Sequence, residues 1–218
     1  MNDTRPRPTL QQFAADAVQR TLGRSSDVDA CVALVGRINE LLGQAAVHLQ
    51  TGGTVLACAA GCSYCCHLRV MVQPHEAIAL FRHLQSRLPA AVAEQVRARL
   101  RDYAAGRGGP GTRRPCAFLV NAECAAYEAR PAACAAYHSL SREQCARSFE
   151  EPSLPSASVA LQSLQAVAAG LEEGLSTALQ AAGLSTTLLE LQGAVAALLE
   201  NPALIARWRA GRPLLNPP

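Results

Sequence analysis

Apolar residues recur at helical spacing over most of the chain. Val28, Val32, Val35, Ile38 and Leu42 fall on one face of a helix expected from about Asp27 to Gln50, and Gly52-Gly53 ends it. Leu10, Phe13, Ala14, Ala17, Val18 and Leu22 predict an earlier helix that stops at Gly23. After the short extended piece LRVMVQP, Pro74 sits at a first helical position with Glu76 in the first turn. That helix should reach Leu88, where Pro89 breaks it, and residues 90–105 form the next. Leu161, Leu164, Ala168, Leu171, Leu175 and Ala178 step by three and four, and a further helix is expected from Thr186 to Glu200, ended by Asn201-Pro202. The simplest arrangement of these last two is a helical hairpin closing onto the rest. A dimerisation surface is the alternative, although a seam of about three heptads is short for a free-standing coiled coil.

Two stretches break the periodicity. GRGGPGTRRP reads as a surface loop, and residues 115–149 are irregular, with helical turns expected at 131–138 and after Ser141, where Ser-x-x-Gln matches a capping box. The irregular stretch has too few large apolar residues to hold itself together. EPSLPSAS reads as a linker. The expected fold is therefore mainly α, an irregular cysteine-rich core surrounded by helices with a C-terminal hairpin. The expected division is 1–150 for the cysteine-bearing part with its N-terminal helices and 158–212 for the hairpin.

Charge narrows the picture. The net charge is +3 and the basic residues are scattered, which argues against nucleic-acid binding. All twenty basic residues are arginine, so Schiff-base and P-loop lysine chemistries are excluded. No apolar run approaches the roughly 18 residues of a membrane span and no secretion signal opens the chain, so the expected location is cytoplasmic, with no membrane partner.

There are nine cysteines, and in such a setting that number points to metal or redox chemistry rather than structural disulfides. Cys58, Cys62, Cys65 and Cys66, spaced C-x3-C-x2-C-C, would fall within about 100° of arc on a helix, with their sulfurs facing one way. Cys116, Cys124, Cys134 and Cys145 form a looser second group in the irregular segment. Together they supply eight thiols, enough for two four-thiolate sites or one multinuclear site, and would explain how the segment is ordered. Arg69, Arg113, Arg114, Arg130 and Arg147 lie near them in sequence and can offset thiolate charge. Cys31, on an apolar helix face, reads as a core thiol. His67 and His138 are left outside the ligand set.

Cys58, Cys62 and Cys65, with Tyr64 before the last, have the three-cysteine spacing of radical S-adenosylmethionine enzymes. The strand-helix alternation and the Gly-Gly-Glu segment that such a site needs are lacking, and Cys66 goes unexplained. No C-x-x-C sits in a βαβ pattern, which disfavours a thiol-disulfide oxidoreductase.

CAAGCSYCC at 58–66, Pro74-His75-Glu76, PCAFL at 115–119 and CAAYEARPAAC at 124–134 together resemble the YkgJ-like cysteine-cluster family, the CxxxCxxCC proteins named for zinc or iron chelation. The resemblance covers Cys58 to Cys145 and departs from the family pattern at Ala117 and Ala135. It implies metal binding by the cysteines and leaves the metal open: zinc, iron or an iron-sulfur cluster. The close thiolates of the first group lean towards iron. Three functions follow: a metal-binding protein, an iron-sulfur enzyme with redox or radical chemistry, or a structural zinc module presenting the C-terminal helices to a partner or a second copy. No nucleophile, paired carboxylates or phosphate loop supports an enzyme. Glu76, Glu123 and Glu128 read as helix-terminal or surface residues.

Overall fold

The computed structural model describes residues 27–106, 113–151 and 160–216, together with Gln12, Asp16 and Arg20, which are helical and exposed. Most of the helix expected over 10–22, the centre of the glycine-rich loop and nearly all of the linker lie outside the described residues.

Helix α1 (Val28–Thr51) starts where the Asp27 carboxylate accepts the Asp29 amide at 3.0 Å and stops at Gly52. Its buried stripe runs through Val28, Cys31, Leu34, Val35, Ile38 and Leu42 to Ala46. By length and composition α1 is apolar enough to cross a membrane, which corrects the expectation that no segment approaches such a span. Its stripe packs on other helices of the chain, the use a core helix makes of such a face.

After β1 (Met71–Val72), α2 (Pro74–Ser86) opens with proline at its start and with the Glu76 carboxylate accepting the Gln73 amide. Helix α3 (Ala90–Ala104) follows Pro89. A small hairpin of β2 (Leu119–Val120) and β3 (Glu123–Cys124) comes next, then the short α4 (Ala132–Ala135) and α5 (Arg142–Glu150). The chain ends in α6 (Gln162–Ala181), β4 (Leu189–Glu190), α7 (Leu191–Glu200) and α8 (Leu204–Arg209).

The two long C-terminal helices both fold back onto the rest. Helix α7 packs on α2 and α3, whereas α6 lies on α1 and α4. The helix expected from Thr186 begins at Leu191 because Leu189–Glu190 is used as a strand: it pairs antiparallel with β1, Met71 opposite Glu190 and Val72 opposite Leu189. The Glu190 carboxylate then caps α7, accepting the Gly193 amide at 2.7 Å. Pairing between residues so distant in sequence leaves no local signal that could announce it.

Trp208, fully buried on α8, donates its indole N–H to the Ser185 carbonyl at 2.7 Å and so pins the C-terminus across the α6–β4 loop. Trp208→Phe keeps most of the packing and loses that bond. It is expected to lower unfolding stability by about 1 kcal/mol, read as a shift in the urea midpoint.

Candidate metal centre

Three pieces of backbone converge around the cysteines. The first is the loop carrying Cys58 and Cys62. Ala57 N–H donates to the Ser139 carbonyl at 2.8 Å, and the Ser139 amide donates back to Cys58 Sγ at 3.3 Å. Gly61 then turns the chain at φ +81°, a conformation that side-chain-bearing residues rarely adopt. A single 3-10 turn, Tyr64–His67, carries Cys65 and Cys66. The helix expected through the four cysteines is thus replaced by a loop and a tight turn. The left-handed glycine interrupts any helix between Cys58 and Cys65, so the sulfurs do not share one helix face.

The second piece is the β2–β3 hairpin. The Cys116 amide donates to the Cys66 carbonyl at 2.7 Å, laying the two cysteine segments side by side. Asn121 and Ala122 make the hairpin turn at φ 52° and 61°, and Leu119 stands opposite Cys124. A guanidinium N–H of Arg99 on α3 donates to the Leu119 carbonyl, and a ring nitrogen of His83 on α2 lies 3.2 Å from the Ala125 carbonyl.

The third piece is the pair of short helices. Glu76, only 4% exposed, accepts the Gln73 amide at 2.8 Å with one carboxylate oxygen and the Ala132 amide at 2.8 Å with the other. It joins the start of α2 to the start of α4, which bears Cys134. Burial pushes this carboxyl up to about 7. Glu76 is helix-terminal, as expected, and is also a buried tie. Ser141 caps α5 by accepting the Gln144 amide at 3.2 Å, as the sequence predicts. Phe149 of α5 packs on Tyr64 and His67, with ring centroids 5.8 and 4.8 Å away, which docks Cys145 against the 3-10 turn.

The result is one open cavity of about 870 Å³, lined by Cys58, Cys62, Cys65, Cys66, Cys116, Cys124 and Cys134. Cys145 lies off it, in a small recess it shares with Cys65, Tyr64 and Tyr137. The far side of the cavity is built by Gln165, Ala168, Ala169 and Glu172 of α6 and by Glu190 and Gln192 at the start of α7. Sequence reading missed this wall because it lies outside the cysteine segment.

Every cysteine carries a free thiol. Burial pushes the Cys58, Cys124 and Cys145 thiols up, and that of Cys116 to about 11. Cys65 is raised first by its hydrogen bond with Cys66 and then by burial; Cys134 is raised by burial and by the neighbouring Cys116, Cys124 and Cys65. The protein environment alone therefore favours the thiol form of these six cysteines, and a thiophilic cation is what would drive off the protons. Of the five arginines expected to offset thiolate charge, Arg130 is the one that faces the thiols of both Cys65 and Cys124, with its guanidinium stacked 3.7 Å over the exposed Tyr127 ring. Arg114 instead lies over Tyr103 and Arg113 over Phe149.

Cys31 is fully buried in α1, its thiol pushed up to about 11 by burial, as a core residue should be. Cys31→Ala is expected to leave metal content unchanged and to cost about 1 kcal/mol, checked by elemental analysis and urea unfolding. His67 is held by its own turn, Nδ1 lying 3.1 Å from the Ser63 carbonyl. His138 lines the cavity, burial depressing its imidazole.

Among the described residues, no three histidine, cysteine, aspartate or glutamate side chains are already drawn in around a common point as a ready cage. The donor chemistry nonetheless fits zinc or iron, since seven soft sulfur donors line one chamber.

The fold and this chamber define a helical protein built around a cysteine-lined cavity. Residues 57–152 match the family model CxxCxxCC, "Putative zinc- or iron-chelating domain", so this stretch of the chain is similar to that family. No curated protein and no solved structure matches the chain.

Proposed function

We propose that this protein holds zinc or iron through its cysteine thiolates, with Cys58, Cys62, Cys65, Cys66, Cys116, Cys124, Cys134 and Cys145 as the donors. The observation that carries the reading is the convergence of seven of them on one cavity from three separate backbone segments. Each ion bound would release protons from raised thiols, and Arg130 would offset part of the negative charge left behind.

The deciding experiment is elemental analysis of protein purified without oxygen, with its visible absorption spectrum. Zinc without colour supports a structural or chelating centre, and iron with acid-labile sulfide supports an iron-sulfur centre. Folded protein free of both metals would overturn the reading. The size of the cavity and its thiol-free α6 wall favour a second reading, an enzyme whose substrate sits beside an iron-sulfur centre. Reduction-dependent colour would support that reading, and colourless zinc protein would end it.

A further inference from the structure

Helix α7 begins well after the last residue of the family match, yet its first turn meets both cysteine-bearing segments. The Leu191 amide donates to the Val70 carbonyl at 3.0 Å, just past the 3-10 turn that carries Cys65 and Cys66. One residue on, Gln192 Oε1 accepts the Ala117 amide at 2.9 Å, across 75 positions of sequence. The two segments are in turn joined to each other, the Cys116 amide donating to the Cys66 carbonyl at 2.7 Å. These three bonds close a ring that runs from α7 to the hairpin segment, on to the 3-10 turn, and back to α7.

Cys116 is held from two sides within this ring. Its own amide and the next one along the chain donate to different segments, one to the turn and one to α7. Two consecutive donors committed in this way restrict the backbone at Cys116, and with it the directions open to the side chain. Ala117 is 1% exposed, so water is not at hand to replace the Gln192 oxygen, and an unpaired amide there costs about 1–3 kcal/mol. Packing offers little substitute, since the large apolar residues buried between Cys116 and Cys124 are Phe118 and Val120. Gln192 also lines the same chamber as Cys116.

We propose that Gln192 is a positioning residue of the metal centre: by accepting the Ala117 amide it sets the Cys116 thiol for ligation, from a helix outside the cysteine-bearing stretch. It acts through Cys116 and has no need to touch the ion. Partners of this kind, one step removed from a metal, orient its ligands and carry part of its affinity. Metal retention then depends on how the start of α7 is docked, which the β1–β4 pairing and the packing of α7 on α2 and α3 decide. This inference rests on the reading that the cysteines hold metal.

The test is chelator competition on the full chain, loaded without oxygen with zinc, or with iron(II) where zinc does not bind, and with circular dichroism as the folding control. Gln192→Leu removes the acceptor and should release metal to the chelator about 10–100-fold more readily. Gln192→Glu keeps an acceptor oxygen for the Ala117 amide and should hold metal as the wild type does. Trp208→Phe serves as the control for stability alone: it loses a buried hydrogen bond at the C-terminus, and its metal retention should not change. Should Gln192→Leu fail to fold, Gln192→Asn takes its place, since it keeps the amide but is one methylene too short, and it should also release metal more readily. Wild-type retention in the folded Leu or Asn variant would overturn the proposal. So would equal weakening in Trp208→Phe, which would tie retention to overall stability, or a Glu variant no better than Leu. A wild-type chain that binds neither zinc nor iron would overturn the underlying metal reading instead.

Discussion

Removing metal with a chelator is expected to abolish amide protection across residues 57–68 and 113–151 while the helices α2, α3 and α7 stay protected, as read by hydrogen exchange. The contrast follows from what each part buries. The helices close on Ile78, Leu80, Leu84, Leu100 and Leu198, each worth about 1.5–3 kcal/mol when taken out of water. Between 113 and 151 the buried apolar residues are Phe118, Val120 and five alanines, and alanine contributes little area. That difference must be made up by another source of order, and structural metal binding of on the order of 10 kcal/mol suffices. Equal protection with and without metal would show that the segment is held by its backbone contacts alone.

Glu76→Ala is expected to cost on the order of 3 kcal/mol, because it strands two buried N–H groups, those of Gln73 and Ala132, at about 1–3 kcal/mol each. The measurement is urea unfolding at fixed metal concentration. Glu76→Gln keeps one acceptor oxygen and should lose about half as much. A second readout separates the two ends of this tie: since Ala132 opens the helix that bears Cys134, Glu76→Ala should also weaken metal retention in a chelator competition. Unchanged retention in the folded variant would mean that α4 is positioned by something else.

Local rules carried the helices a long way. Asp27, Pro74, Ser141 and Gly52 mark their termini in the structure as they do in the sequence, because a cap is a contact between near neighbours. What failed was non-local. The cysteine run has a helical spacing, yet Gly61 takes a left-handed turn and Cys58 is fixed by Ser139, a residue 81 positions away. Glu76 has the signature of an ordinary capping box, and nothing in that signature reveals that its other oxygen reaches Ala132, 56 positions on. The same limit explains Cys145, whose neighbours are set by Phe149 packing on the 3-10 turn rather than by spacing. Cysteine identity made the chamber legible; the backbone route that brings the cysteines to it was not.

The wall that α6 and the start of α7 contribute extends the chamber beyond the stretch that carries the cysteines. Gln165, Glu172 and Gln192 lie after the last residue of the family match, yet they face the same space as the thiols. The outline of the domain along the chain is therefore not its outline in space. A substitution in α6 can change what the chamber admits while leaving every cysteine in place.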